Sequence, residues 1–241
     1  MSQVAARAFN VLEHVARSDE PLGLMEVASR LEADKSAALR TLAFLEHRGL
    51  LRRDTATKKY RIGPTLLSLA AIAMRRADLP QVAQPHLTAL RDLTGETVSL
   101  HLRVGDDRVC IAGAESSQVI QRVLTIGEPV PLWLGPSGKV ILAFLPEAER
   151  AAIVARADVD RRAVERDIAR ARTDGYLIVT SDRTPGVGAV SAPILDAAGA
   201  VGSITIAGPE DRWNRRAMRE VAAALVTAAA AVSAEIGGAS R

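Results

Sequence analysis

The feature that most restricts the fold of this chain is a short helical pattern, a tight turn and a longer helical pattern near the N-terminus. The short pattern covers residues 24–31 and the longer one covers residues 35–48. Asp34 is well placed as the N-cap of the longer helix, because its carboxylate can accept a hydrogen bond from a free amide of the first turn. Gly49 is placed at its C-terminal end. With a preceding helical pattern over residues 6–16, this order predicts a helix-turn-helix unit.

A basic β-hairpin is predicted directly after this unit. Residues 50–62 form two short strand patterns around a polar turn, which makes the unit a winged helix-turn-helix. Cations on such a wing suit contact with phosphates, which supplies affinity but little sequence information. The candidate phosphate-contacting residues of the wing are Arg52, Arg53, Lys58, Lys59 and Arg61.

The longer helix has two different sides. The apolar stripe that we expect to face the core of the head consists of Ala38, Leu42 and Leu45. The opposite side carries the candidate DNA contacts Lys35, Ser36, Ala37 and Arg40. They lie near the helix end that usually enters the major groove, where Arg40 suits a guanine or a phosphate and Ser36 a base or a phosphate. The alternative is an ordinary surface helix whose cations are merely solvated.

The distribution of charge favours the DNA-binding interpretation. Residues 1–76 hold 13 Lys and Arg against 8 Asp and Glu, a balance of +5. The remaining residues hold 18 against 20, a balance of −2. A basic segment joined to a near-neutral body is typical of a polyanion-binding head on a body with another task.

Composition excludes several other classes. The lone cysteine, Cys110, cannot form an internal disulfide, which favours a reducing cytoplasm. The four histidines are too far apart in sequence for the usual zinc-ligand spacing, so we expect no metal site. No apolar run reaches the roughly 18 residues of a membrane-spanning helix, and the N-terminus lacks an apolar signal core. We therefore expect a cytoplasmic protein with no membrane partner.

The rest of the chain predicts an α+β domain with a central antiparallel sheet and helices packed against one side. Residues 97–104 alternate strictly between apolar and polar, and a hairpin turn at 105–108 leads to a return strand at 109–112. Further strands are expected over residues 187–195 and 201–207. The expected helices cover residues 82–94, 138–144, 146–172 with a break near residue 158, and 211–236.

Enzyme motifs are incomplete in this part of the chain. Gly135-Pro-Ser-Gly-Lys139 lacks the first glycine and the magnesium-binding hydroxyl of a phosphate loop. Gly186-Val-Gly188 starts a dinucleotide pattern that does not continue, and no nucleophile elbow is present. Cys110 and His101 fall on adjacent predicted strands, where we expect core and surface positions respectively. The sequence predicts no catalytic residue and no cofactor.

Several motifs make the chain resemble the IclR family of regulators. In the head they are Lys35-Ser36, Arg40-Thr-Leu42, Leu45-Glu-His-Arg-Gly-Leu50, Arg53-Asp54 and Tyr60-Arg-Ile-Gly63. In the body they include Leu93-Thr-Gly-Glu-Thr-Val98, Gly138-Lys139, Pro185-Gly-Val187, Ala192-Pro-Ile194 and Ile206-Ala-Gly-Pro209. Ala37 and Leu39 depart from the family pattern, and both changes reduce the hydrogen-bonding groups on the reading side. The resemblance therefore does not supply a target sequence.

The resemblance implies a two-domain protein. Residues 1–63 would be the winged helix-turn-helix, mainly α with a β-hairpin wing; residues 64–80 a linker helix; and residues 81–241 a GAF-like effector-binding domain. The family's effector site lies between the concave face of the sheet and nearby loops. Carried over by position, the candidate effector-binding residues are Leu124, Leu132, Trp133, Gly135, Ser137, Asp182 and Thr205. Helix-start amides near Ser137 favour a carboxylate or a similar anion.

The leading hypothesis is a homodimeric or tetrameric regulator whose small-molecule effector changes its affinity for double-stranded operator DNA. The apolar pattern of residues 65–74 fits a helix packed against a second subunit. The sequence leaves repressor and activator roles open. The competing hypothesis is a GAF-type sensor or redox enzyme whose head recruits a protein.

Overall fold

The chain divides between residues 77 and 78 into two units. The computed structural model describes residues 3–76 and 78–238. The first unit contains α1 (Gln3–Ala16), α2 (Leu24–Arg30), α3 (Lys35–His47), β1 (Leu51–Arg53), β2 (Tyr60–Ile62) and α4 (Pro64–Arg76). The second unit contains α5 (Asp78–Thr94), β3 (Thr97–Val104), β4 (Asp107–Ala114), β5 (Pro129–Pro131), α6 (Gly135–Ala143), α7 (Glu147–Arg156), α8 (Arg161–Asp174), β6 (Leu177–Thr180), β7 (Val187–Asp196), β8 (Gly199–Pro209) and α9 (Arg215–Gly238).

The first unit is the predicted winged helix-turn-helix. Asp34 caps α3 by accepting a hydrogen bond of 2.8 Å from the amide of Ala37, and Gly49 follows the helix with a left-handed φ of 65°. The strands β1 and β2 pair antiparallel and form the wing. The core beneath them is built from Val11, Val15, Leu22, Val27, Leu42, Leu45, Leu51 and Tyr60.

Ala37 does not belong to the exposed side of α3. It is 4% exposed, so the expectation that it lies beside Ser36 and Arg40 on the outer surface is wrong. The reason is helical geometry: Ala37 lies one turn before Thr41, and the two share an inward side. Thr41 is likewise buried, at 8% exposed, and its hydroxyl donates to the carbonyl of Ala37 over 3.0 Å.

The second unit is built on a six-stranded sheet in the order β5-β4-β3-β8-β7-β6. Every neighbouring pair is antiparallel, which confirms the predicted central antiparallel sheet. The strands β5 and β6 were not predicted, and both lie at edges of the sheet. The other four strands match the predicted ones with small shifts at their ends.

Helices cover both faces of this sheet, so the expectation of helices on one side is wrong. Val98 and Ile204 point to one face, where they pack with α5 and α9 in the first core cluster. On the opposite face α6, α7 and α8 form the second cluster around Ile141 and Ile168. Because side chains alternate along a strand, β6, β7 and β8 contribute side chains to both layers.

The C-terminal helix α9 is long and apolar enough to cross a membrane by length and composition, over residues 215–237 with a mean hydropathy of 1.5. The expectation that no segment reaches this length is therefore wrong. One side of the helix nevertheless lies in the first core cluster, where Met218, Leu225 and Val232 are fully buried. The helix therefore packs one side against the core of the second unit.

Candidate functional site

The first candidate site is the cationic surface of the head. On α3, Lys35, Ser36 and Arg40 are exposed. On the wing, Arg52, Arg53, Lys58 and Arg61 are exposed and Lys59 is partly buried. The structure therefore leaves every predicted DNA contact except Ala37 accessible. No observation of a nucleic acid tests these contacts, so they stay predictions.

Three side chains at the start of α3 form a hydrogen-bonded chain. The hydroxyl of Ser36 donates to Asp34 Oδ1 over 2.6 Å, and Arg40 Nη1 donates to Ser36 Oγ over 3.3 Å. The hydrogen bond from Ser36, followed by the amide of Ala37, lowers the pKa of Asp34. The hydroxyl of Ser36 donates its single proton to Asp34, so Ser36 Oγ acts as the acceptor for Arg40. Ser36 therefore positions the guanidinium of Arg40 in the free protein. Arg40 keeps further N–H donors for a base or a phosphate.

The wing holds two of its cations in place. The guanidinium of Arg53 lies over the ring of Tyr60, 5.6 Å from its centroid, and Lys59 Nζ lies 3.9 Å from Glu26 Oε2. At the tip, Asp54 accepts hydrogen bonds from the amides at 56 and 57 and the hydroxyl at 57. These bonds lower the pKa of Asp54 and keep its carboxylate engaged within the turn.

The second candidate site is a cavity of about 110 Å³ in the second unit. It lies between one face of the sheet, the start of α6, the loop over residues 122–128 and the segment at 182–187. Five of the predicted effector-binding residues line it: Leu124, Gly135, Ser137, Asp182 and Thr205. Their contact with a ligand stays a prediction.

Leu132 and Trp133 do not line this cavity, so their predicted place in its wall is wrong. Leu132 is fully buried in the second core cluster, and Trp133 packs against that cluster. The reason is the close approach of α6. A Cβ at Gly138 would clash with the carbonyl oxygen of Leu132. The helix therefore lies directly on this turn, in the same layer as the second core cluster that both side chains join.

Arg108 also lines the cavity, although its sequence position predicted a hairpin turn. It is 4% exposed, and its Nε donates to the hydroxyl of Ser137. Its Nη1 has no hydrogen-bond partner in the part of the chain that the structure describes. Burial, and then the charge of Arg183, lower the pKa of Arg108 to about 10. The guanidinium is therefore charged at neutral pH.

His101 also faces the cavity, so its predicted surface position is wrong. Its Nε2 lies 3.0 Å from Ser99 Oγ, and its Nδ1 has no partner among the described residues. Burial, with Arg108 and Arg183, lowers the pKa of His101 to about 3. The imidazole is therefore neutral at physiological pH.

Cys110 lies next to His101 on the paired strand and is 6% exposed. Burial raises the pKa of its thiol, which donates to the carbonyl of Ala112 over 3.6 Å. A thiol nucleophile needs a thiolate beside a base or a cationic imidazole. The pKa shifts of Cys110 and His101 both oppose that state.

A buried ion cluster fixes the start of α6. Lys139 Nζ donates to Asp182 Oδ2 over 2.8 Å and to Asp167 Oδ2 over 2.9 Å. The same Asp182 oxygen accepts the amide of Gly135 over 3.1 Å. Burial opposes the charge of Lys139, but the hydrogen bonds from Lys139 to the two carboxylates outweigh it and raise its pKa. Asp182 is therefore engaged in holding the helix as well as lining the cavity.

The lining of the cavity has an excess of positive charge. Its acidic residues are already paired: Asp182 with Lys139 at 2.8 Å, and Glu128 with Arg183 at 3.5 Å. Arg108 and Arg122 line the same space, and neither forms an ion pair within residues 3–76 and 78–238. The described residues contain no group of His, Cys, Asp and Glu that could hold a metal ion. The arrangement suits a small organic anion.

Comparison with known proteins finds matches along most of the chain. The family model described as IclR helix-turn-helix domain matches residues 4–55. The model described as bacterial transcriptional regulator IclR C-terminal matches residues 71–234, which is more than half of the chain.

Individual relatives extend over nearly the whole length. The HTH-type transcriptional regulator BhcR of Paracoccus denitrificans is 31% identical over 237 residues, covering 94% of this chain and 85% of the relative. The HTH-type transcriptional repressor AllR of Salmonella typhi is 26% identical over 221 residues, covering 88% and 81%. A crystal structure of an IclR transcriptional regulator from Alicyclobacillus acidocaldarius has the same fold. Its TM-score is 0.85 at 24% identity, with coverage of 97% of this chain and 98% of that one.

Proposed function

This chain belongs to the IclR family of transcriptional regulators, and from that premise we propose that its head binds operator DNA and its second unit binds a small anionic effector that alters this binding. The observation that carries the proposal is the cationic surface shared by α3 and the wing. Exposed Arg and Lys beside a helix-turn-helix provide both phosphate contacts and a base-reading side chain. Relatives that match most of the chain are named transcriptional regulators, which supports the same conclusion.

Arg40 is the side chain that we assign to base readout. It projects from the first half of α3, and Ser36 holds one of its Nη groups. A guanidinium held by one N–H can still present others to guanine or to a phosphate. Arg52, Lys58 and Arg61 supply the phosphate contacts, since they are exposed and form no ion pair in the described part of the chain. Ala37 is left out of the contact set because it is buried.

The second unit supplies the sensing function. Its cavity holds an uncompensated guanidinium at Arg108, and guanidinium groups pair with carboxylates through short, charge-assisted hydrogen bonds. A carboxylate effector is therefore the class that the lining supports. Binding there changes operator affinity only if the ligand favours one arrangement of the heads over another.

The organisation that we propose has a DNA-binding domain over residues 1–63, a linker helix over 64–80 and an effector domain over 81–241. The protein acts in the cytoplasm as a homodimer or a tetramer. Exposed apolar side chains on α4 support assembly: Leu67 is 66% exposed and Leu69 is 54% exposed. Such side chains on a helix favour contact with another subunit.

The test is footprinting of the full-length protein on the DNA upstream of its own gene, with and without a set of small carboxylates. We expect protection of an inverted repeat with half-sites about 10 bp apart or a multiple of that. A carboxylate that binds should change the protein concentration needed for half protection. Absence of any protected segment would refute the regulator, and protection that no carboxylate changes would refute the sensing function alone.

A further inference from the structure

Two buried polar atoms without partners belong to side chains that line the cavity from neighbouring strands. They are Arg108 Nη1 on β4 and His101 Nδ1 on β3, and both residues line the cavity. Buried polar atoms are nearly always hydrogen-bonded, so two such atoms in residues of one cavity lining point to a missing partner. The chemistry of each atom then defines the partner.

Arg108 requires an anion. Its guanidinium carries only N–H donors, and no acidic side chain in the described chain pairs with it. A buried charge without a partner is costly, and a carboxylate is the group that a guanidinium binds best. Gly135 has a left-handed φ of 71°, and a Cβ there would come within 3.2 Å of Arg108 Nη2. A side chain at position 135 would therefore crowd the guanidinium.

The helix N-terminus contributes less to anion binding here than the sequence led us to expect. The amide of Gly135 is already used by Asp182, and Pro136 has no N–H. Of the first three residues of α6, only Ser137 keeps an amide that could reach a ligand. The guanidinium of Arg108 supplies hydrogen-bond donors in place of the missing backbone amides of α6.

His101 requires a hydrogen-bond donor. The hydroxyl of Ser99 donates to the carbonyl of Thr205 over 3.4 Å, and the same Oγ lies 3.0 Å from His101 Nε2. Both contacts are hydrogen bonds at once only in the tautomer whose Nε2 carries the proton and donates it to Ser99 Oγ. A neutral imidazole with its proton on Nε2 leaves Nδ1 as an acceptor. The low pKa of about 3 keeps His101 in this neutral form. A ligand atom facing Nδ1 must therefore carry a hydrogen.

We propose that the effector is a hydroxycarboxylate: its carboxylate binds Arg108, and its hydroxyl donates a hydrogen bond to His101 Nδ1. This assignment rests on the proposed effector-binding function and narrows it to one chemical class. A 2-oxo acid carries the same carboxylate but only an acceptor where the hydroxyl would be. It would leave His101 Nδ1 without a partner. The cavity volume of about 110 Å³ suits a small acid.

The test measures binding to the full-length protein by calorimetry and thermal shift, with pairs of acids that differ only at this oxygen. The pairs are glycolate and glyoxylate, lactate and pyruvate, 3-hydroxybutyrate and acetoacetate, and mandelate and phenylglyoxylate. We expect at least one hydroxy acid to bind, and to bind about tenfold or more tightly than its oxo partner. Failure of every hydroxy acid to bind would overturn the proposal, as would equal or tighter binding of the oxo partners.

Two variants separate the two contacts, and a third is their control. Arg108→Gln should lose binding of both members of a pair by about tenfold or more. His101→Phe should remove the preference for the hydroxy acid while leaving the oxo acid bound about as before. Arg219→Gln is the matched control, because it removes an exposed arginine of the same unit that does not line the cavity. Equal losses in Arg108→Gln and Arg219→Gln would overturn the assignment of Arg108.

The comparison of hydroxy acids with oxo acids uses the unaltered protein. It therefore tests the proposed ligand class even if one of the substitutions unfolds the chain. Footprinting without ligand separates this inference from the proposed function. Operator protection without hydroxy acid binding would overturn only the inference. Hydroxy acid binding without operator protection would refute the regulator and leave the ligand class intact.

Discussion

The head and the cavity use arginine in opposite ways. Arg40 and Arg61 are exposed, so water solvates their charges. Arg108 is 4% exposed and has no acidic partner among the described residues, so its charge has neither full hydration nor a counter-charge. In the proposed function the head would depend on long-range attraction between many charges, whereas the cavity would depend on one close fit.

The largest expected difference between the two sites is in their response to salt. Raising NaCl from about 50 to about 200 mM should weaken operator binding by roughly 10³-fold, because each phosphate contact releases counterions. The affinity of the cavity for a carboxylate should change by less than about threefold, since buried pairs are screened less. Fluorescence anisotropy on labelled DNA and calorimetry on the acid measure the two slopes. Parallel salt slopes would contradict the distinction.

Next in size is the effect of Arg40. Arg40→Ala should weaken specific operator binding by about 1–3 kcal/mol if it contacts a base. Ser36→Ala should have a smaller effect in the same direction, because it removes only the group that positions Arg40. Arg219→Ala, an exposed arginine on α9, is the matched control and should leave binding unchanged. Equal affinities of the Arg40→Ala and Arg219→Ala variants would remove Arg40 from the reading surface.

A smaller effect is expected from the cap of α3. Asp34→Ala should lower the melting temperature of the protein, because the amide of Ala37 loses its acceptor. It should also weaken operator binding, because Ser36 loses the partner that orients it. The comparison variant is Asp19→Ala, an exposed residue before α2. Indistinguishable melting temperatures for the two variants would show that the cap adds no stability.

A further effect, separate from binding at either site, is the pH dependence that His101 introduces. Its pKa is about 3 in the folded protein and near 6.5 in an unfolded chain, so the unfolded state binds the proton first. Stability should therefore fall as pH decreases through the window between these values, and His101 contributes nothing to this dependence above it. Denaturant unfolding from pH 7 to pH 5 measures the change, which His101→Gln should reduce. Carboxylate binding should stay flat from pH 5 to pH 9, since neither His101 nor Arg108 titrates there.

The features that were predicted correctly depend mostly on residues that are close together in the sequence. Asp34 was identified as a cap because its partner amide lies three residues away, and the β3–β4 hairpin was identified from alternation around Gly105. The edge strand β5 was missed because three residues with a proline at each end carry no strand pattern. Ala37 was misplaced because the prediction extended the exposed side of α3 by one residue too many.

The cavity was harder to predict because its contacts span long sequence separations. Arg108 touches Ser137, and Ser99 touches Thr205 more than a hundred residues later. One signal for Arg108 was present: it lies two residues before Cys110 on the same strand, so alternation puts both on one face. Leu132 was misassigned because its position before α6 does not reveal that the helix lies on top of it.

The ion cluster of Lys139, Asp167 and Asp182 has a consequence for how this protein can diversify. It anchors α6 through groups that differ from the two atoms proposed to recognise the ligand. A substitution at 101 would alter the proposed recognition without removing a hydrogen bond to α6, whereas one at 108 would also remove the hydrogen bond to Ser137. New ligand preferences would therefore arise most simply through β3, while the anchor of α6 is inherited unchanged.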